Sequence, residues 1–271
     1  MASQPLTIKT CFMRSFFTLL FLVGITSTSF SQRWKMTAGY NLGLPQQEMN
    51  KNINPVHTLQ AGALYQLAGT LTRMSVGLEA GIGIYAMERI DQTFTFDNST
   101  TAVIPINYNS NALNANAIVR YDFADQKKFV IPYITAKGGV YNLHSNIYVE
   151  NPHGAGCEAL QSENIIKDAT LTWGAGAGVQ LNTAIFSKRK FHRNVKLDIS
   201  ANLVRGGNLK YINTKNLIDA QSLNDPEGKP LQVQFINAST QNIHEHTVAQ
   251  VYNSALRLLE VRVGVVVDIV R

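Results

Sequence analysis

Charge is scarce in this chain. Ionisable Asp, Glu, Lys and Arg make up 15% of its 271 residues, against about a quarter in an ordinary soluble domain. That shortage argues against the usual soluble design, in which ionised side chains cover the surface. Long hydrophobic runs are missing as well. Beyond residue 31 no stretch holds 18 uninterrupted apolar residues, which excludes a transmembrane helix there. Cysteine is almost absent, with only Cys11 and Cys157. Cys11 falls in a leader described next, and a lone Cys157 closes no internal disulfide, so there is no disulfide scaffold. No G-x-S-x-G elbow occurs. The run Gly174-Ala175-Gly176-Ala177-Gly178 is not followed by Lys and a helix, so it reads as a stripe of small residues rather than a phosphate loop.

What is present begins with an export signal. Lys9 and Arg14 form a positive n-region, and Phe16 to Ile25 is an apolar run too short to span a bilayer as a helix. Ser29-Phe30-Ser31 places small residues where a signal peptidase reads, so cleavage is expected before Gln32, with Met13 as an alternative start. The domain reading is therefore 1–31 signal peptide and 32–271 mature domain. Cleavage removes Lys9 and Arg14 and no acid, leaving 22 of the 24 basic residues against 18 acidic ones. So mild an excess does not point to nucleic acid.

The mature part alternates. Trp34, Met36, Ala38, Tyr40 and Leu42 interleave with Lys35, Thr37, Gly39 and Asn41 over Trp34–Leu44. Seven further segments behave alike: Val56–Leu67, Leu71–Met87, Asn111–Phe123, Val130–Leu143, Ala169–Asn182, Val195–Arg205 and Ala255–Val270. The third is the clearest. Met74, Val76, Leu78, Ala80, Ile82 and Ile84 take one face, and Arg73, Ser75, Gly77, Glu79, Gly81 and Gly83 the other. A glutamate between glycines suits the crowded interior of a narrow barrel. Without a transmembrane helix, only a closed barrel satisfies the backbone inside lipid. The links between segments alternate short and long. Ala68–Thr70, Ala124–Phe129 and Thr183–Asn194 are short, whereas Pro45–Pro55, Glu88–Ser110, His144–Asp168 and Gly206–Ser254 are long. The expected fold is all-β: an eight-stranded antiparallel up-and-down transmembrane β-barrel with long extracellular loops and both termini in the periplasm.

The leader ending SFSQ, the opening WKMTAGYNLGLP, and the stretches SVGLEAGIGIY, VIPYITAKGGVY and WGAGAGVQL resemble the outer-membrane β-barrel domain proteins of the Bacteroidota, the broad group that includes PorT-like barrels. The resemblance covers most of residues 16–271 and is architectural. It implies a cell outer-membrane location. The closing VVVDIVR departs from the pattern of proteobacterial barrels, whose last strand ends in an aromatic.

Seven ionisable residues are expected to face inward: Arg73, Glu79, Lys137, Lys196, Asp198, Glu260 and Arg262. Eight strands leave room only for side chains, and unpaired charge there is costly. These seven are therefore read as a salt-bridge network filling the lumen, as in small OmpA-like barrels, with a narrow ion path as the competing reading. His244-Glu245-His246 puts two imidazoles on one strand face, a partial zinc set. No third ligand is placed by sequence, so a solvated pair is the plainer reading, as for His144, His153 and Cys157. Lys188-Arg189-Lys190-Phe191-His192-Arg193 reads as a solvated basic turn. In the last long link Thr214 is a candidate cap for a short helix, and Leu231–Asn237 alternates enough to extend the wall or form a hairpin. No catalytic residue, cofactor or metal is assigned. The expected function is a non-enzymatic structural or surface-interaction component of the cell envelope. Its partners would be outer-membrane lipid and, through the long loops, an envelope or secretion-complex protein. A narrow pore, a barrel enzyme acting on outer-leaflet lipid and a soluble periplasmic lipid carrier are the alternatives.

Overall fold

The computed structural model describes residues 33–95, 101–150, 159–183, 194–215, 217, 228–236 and 243–270. The leader 1–31, the basic turn 188–193, His153, Cys157 and most of the helix suggested after Thr214 lie outside the described residues. Nine strands run in chain order: β1 (Arg33–Pro45), β2 (Val56–Gln66), β3 (Met74–Thr95), β4 (Thr101–Asp122), β5 (Val130–Glu150), β6 (Ala159–Asn182), β7 (Val195–Ile212), β8 (Lys229–Ile236) and β9 (Ile243–Val270). One short helix, α1 (Glu48–Asn52), lies between β1 and β2. Sequential strands pair antiparallel from β1 to β7, β7 pairs with β9, and β9 returns to β1. The closing seam runs from Arg33↔Val270 to Pro45↔Leu258. Eight strands thus close a ring with no free edge in its wall, and β8 is an addition to the outer end of β9. No described helix is long and apolar enough to cross a membrane.

Side-chain size sets how tightly that seam closes. Gly39 and Gly264 sit opposite each other, both on the inner face. A Cβ on Gly39 would meet the Val263 carbonyl oxygen at 2.7 Å and the Gly264 Cα at 2.8 Å. Both strands must therefore carry glycine for their backbones to approach.

The outer face of the ring is apolar along about ten residues of most strands, from Trp34 to Leu44, Phe123 to Leu113, Val130 to Val140, Leu181 to Leu171, and Ile269 to Leu259. At about 3.4 Å per residue and a tilt near 40°, that length gives a band about 25 Å tall. Leu171 is 77% exposed, Leu78 68% and Trp173 61%. Next along each strand the outward residue turns polar: Asn111 on β4, Asn142 on β5, Arg205 on β7 and Arg257 on β9.

Beyond this rim the strands continue, and their polarity inverts. Ile106, Tyr108, Ile147 and Ile166 face inward and pack with Ile212, Val248 and Ala249 as a buried core, while Asn107, Asn109, His144, Asn146 and Tyr148 are only part-covered on the other face. Two bulges sit where the change occurs. One lies between Ile84 and Ala86 on β3 and the other between Arg205 and Asn208 on β7. Each shifts the alternation by one. Ile84 and Met87 both face out, and so do Arg205 and Lys210. Pairing between β2 and β3 stops at His57↔Ile84, and pairing between β6 and β7 stops at Thr172↔Gly206. The ring therefore splits into two sheets, β3–β6 and β7–β9–β8, which pack face to face. The Tyr108 hydroxyl donates to the Val248 carbonyl at 2.7 Å across that packing.

The links Glu88–Ser110 and His144–Asp168 are long, as the sequence suggests, but most of their residues are strand rather than loop. Leu231 to Ile236 forms the hairpin partner of β9. Thr214 forms a bend rather than opening a helix. Its hydroxyl donates to the Asn52 carbonyl at 3.4 Å and accepts from the Asn54 amide at 3.3 Å.

Candidate functional site: the closed lumen

The inward face of the ring carries charge in two layers. The layer nearer the chain termini is built from β1, β4, β7 and β9. Asp122 accepts from Lys35 at 3.1 Å and from Arg120 at 2.7 Å. Arg120 also reaches Asp198 at 3.6 Å and lies 3.5 Å over the Tyr133 ring, whose hydroxyl donates to Asp198 at 2.8 Å. Lys196 pairs with Asp268 at 2.7 Å. The short turn between β4 and β5 folds inward and adds Gln126, which accepts from Lys196 and donates to Asp122, each at 2.6 Å.

The second layer lies at mid-barrel. Glu79 on β3 accepts from Arg262 at 3.0 Å and meets Lys137 at 3.6 Å. Lys137 also bonds Glu260. Lys35, Arg120 and Lys196 balance Asp122, Asp198 and Asp268, and Lys137 and Arg262 balance Glu79 and Glu260, so each layer is neutral by itself. This pairing permits ionised groups, most of them buried, to sit in a narrow interior. A small cavity of about 40 Å³ lies between the layers, lined in part by Asn41, Arg120 and Arg262. Asn41 Oδ1, Arg120 Nη2 and Arg262 Nη2 have no protein partner, and the space is large enough for water to hydrate them.

Of the seven residues singled out in the sequence, Glu79, Lys137, Lys196, Asp198, Glu260 and Arg262 lie in these layers. Arg73 does not. It precedes β3 in the β2–β3 turn, half exposed, and meets Asp125 of the next turn at 3.5 Å. Alternation carried one residue too far places it inside; the chain has already left the wall there. Lys35, Arg120, Asp122, Asp268 and Gln126 join the layers without having been singled out. The first four share the inward parity of their strands, a signal already present in the sequence. Gln126 comes from a turn and has none.

Toward the far end the interior turns apolar. Tyr85, Ala112, Tyr141, Leu143, Val204, Leu209, Tyr211, Tyr252, Leu256 and Leu258 pack with Met49 and Ile53, which enter from α1 and its C-terminal end. That loop is held by backbone bonds from Gln46 to the Arg257 carbonyl at 2.9 Å and from Thr214 to the Asn52 carbonyl at 2.8 Å. Burying Met49 and Ile53, each 1% exposed or less, is worth about 1.5–3 kcal/mol apiece. The lumen is thus stoppered by a dry plug above and by paired charge below.

The apolar faces point outward, opposite to what a soluble carrier with a lipid-filled centre requires. His244, Glu245 and His246 lie on β9 opposite Phe235, Gln234 and Val233 of β8. Among the described residues no group of three His, Cys, Asp or Glu is placed to hold a metal ion.

No family model matches the chain, and no curated protein matches it. Among solved structures it is similar to Neisserial surface protein A, with 14% identity over 87% of this chain and 96% of that one and a TM-score of 0.37. It is also similar to Ail, the attachment invasion locus protein of Yersinia pestis, with 12% identity, 89% and 100% coverage and a TM-score of 0.38. A third is the N-terminal β-barrel domain of Pseudomonas aeruginosa OprF, with 12% identity, 88% and 97% coverage and a TM-score of 0.34. The barrel assignment itself rests on the strand pairings.

Proposed function

We propose that this chain is an exported integral outer-membrane barrel, residues 1–31 being its leader. In this reading the lumen is a structural plug, and the strand extensions beyond the rim carry surface interactions or accessory work in the cell envelope. The observation that carries the reading is the outward apolar band. A soluble monomer does not leave a ring of Leu, Ile, Val and Trp uncovered, and only a closed sheet satisfies its backbone in lipid. The band's height fits a bilayer core. The periplasmic placement of the termini and short turns, and the likeness to Bacteroidota PorT-like barrels, belong to the same reading.

The non-enzymatic part is supported by the interior, where every charge of both layers is engaged in pairing. The pore alternative meets the dry plug formed with Met49 and Ile53. Partners would be outer-leaflet lipid and a protein of the envelope or a secretion complex at the extension, with no nucleic acid.

The two tryptophans, Trp34 and Trp173, both lie in the band, which supplies the test. In vesicles whose acyl chains carry bromine, their fluorescence should be strongly quenched while aqueous iodide has little effect. The unheated protein should also migrate differently from the boiled one on gels. Iodide quenching equal to that of free tryptophan, with no change in mobility on boiling, would sink the membrane assignment.

A further inference from the structure

Arg205 on β7 and Arg257 on β9 are directly opposite partners in the antiparallel ladder. Both point outward, at the level where the apolar band ends. Like charges placed so, with Cβ atoms about 5 Å apart, repel and destabilise the pair. In the lumen, by contrast, every described cation has a carboxylate. Here, among the described residues, neither arginine has a carboxylate within ion-pair distance. Two lysines add to the imbalance. Lys210 stands two residues beyond the β7 bulge, and Lys167 is on the neighbouring β6, both exposed. The acid among them, Asp168, is occupied by backbone: its two oxygens accept from the Ala169 and Lys210 amides, each at 2.9 Å. Trp173, 61% exposed, lies under Arg205 with its ring centroid 5.7 Å from the guanidinium carbon. An indole at the edge of an apolar band marks the membrane interface. The arginines therefore stand at headgroup height.

We propose that Arg205 and Arg257, flanked by Lys167 and Lys210, bind the phosphate of a phosphorylated lipid headgroup in the outer leaflet. A phosphate accepts bidentate bonds from guanidinium and cancels the repulsion that the fold leaves in place. The lipid's acyl chains lie along the adjoining apolar wall, where Leu171, Leu203 and Leu259 face out. Trp173 holds the nearer guanidinium by cation–π attraction. The inference rests on the membrane reading above and deepens it by naming a ligand chemistry and a place.

The full-length protein, delipidated in a zwitterionic detergent, is offered bisphosphorylated lipid A or the same lipid stripped of phosphate, and adducts are counted by native mass spectrometry. Wild type should retain the phosphorylated lipid about tenfold over the dephosphorylated one, a preference that the Arg205→Gln/Arg257→Gln pair should abolish. Arg257→Glu is the second variant. It places opposite charges across the ladder, so it should raise the melting temperature in lipid-free detergent while losing the lipid. Equal retention of the two lipids by wild type, or undiminished retention by the double glutamine variant, overturns the proposal. So does displacement of the lipid by millimolar inorganic phosphate, which would make the ligand a free anion. Heat-modifiable mobility of the same samples separates the two readings. Barrels that fold in vesicles but show no phosphate preference refute this site alone, whereas chains that never enter vesicles refute both.

Discussion

Glu79 is held in place by its neighbours' smallness. A Cβ on Gly62, across the β2–β3 ladder, would sit 2.9 Å from the Glu79 Cβ, and Gly77 and Gly81 flank it on the same face. Replacing Glu79 with Ala leaves its two cations in different positions. Lys137 keeps Glu260. Arg262 loses its carboxylate, having bonded Glu79 at 3.0 Å while its Nε and Nη2 atoms already lacked partners. Removing one member of a buried ion pair costs about 3–5 kcal/mol. The small cavity beside Arg262 lets water reach it, so the lower figure, about 3 kcal/mol, is the expected loss. Glu79→Ala/Arg262→Gln removes both charges and should recover part of it, with a coupling of about 1–3 kcal/mol in the double-mutant cycle with Glu79→Ala and Arg262→Gln. Urea unfolding in lipid vesicles, followed by tryptophan emission, measures all four corners. If Glu79→Ala lies within about 1 kcal/mol of wild type, or if the two single changes simply add, the network is not the constraint argued here.

Two other predictions follow from the same geometry. Gly62→Leu should yield no folded, heat-modifiable band, because its Cβ would already meet the Leu78 carbonyl oxygen at 2.6 Å; Ala61→Leu, one residue earlier and facing lipid, should fold. Equal folding of both variants would contradict the assignment of faces. In planar bilayers the unaltered protein should add no steady current to the membrane's own leak, since Tyr211, Tyr252, Leu256 and Leu258 close the far end. Stepwise conductance would refute that closure.

The barrel was legible because alternate residues of its wall differ sharply, apolar on the outward face and small or polar in the crowded lumen. Met74 to Ile84 on β3 and Leu259 to Ile269 on β9 carry that signal directly, and both lie in the wall where the sequence placed them. The strand extensions were not legible as strand. From Asn107 to Asn111 and from Asn142 to Tyr148 the outward residues are polar, so a search for apolar-out alternation stops at Leu113 and at Val140. The alternation continues, but with Ile106, Tyr108, Leu143 and Ile147 inward and a bulge on β3 shifting its phase. In the charge layers the error was one of reach. Arg73 follows the period of β3 but precedes its first residue, whereas Arg120 and Asp122 follow the period of β4 and lie inside. Gln126 depends on a turn folding inward, which no period reports.

The polarity inversion follows from a change of solvent along a single strand. In the membrane reading proposed above, the outside of the band is hydrocarbon, so apolar side chains face out and every inward charge must find its opposite within the ring. Past the rim the outside is water, and the cheaper arrangement turns Ile and Tyr inward and Asn outward. On β4 and β5 the composition changes while the phase is kept: the even residues of β4 and the odd residues of β5 face inward on both sides of the rim. On β3 and β7 the bulges after Ile84 and Arg205 shift the phase by one residue, and the end of pairing at Thr172↔Gly206 lets the ring open into two sheets that bury a core of their own. Charge follows the same division. Inside the wall each layer sums to zero net charge. At the rim Arg205 and Arg257 stand together uncancelled, where water and headgroups lower the cost of leaving them so. A search for ligand contact therefore begins at this boundary rather than in the lumen.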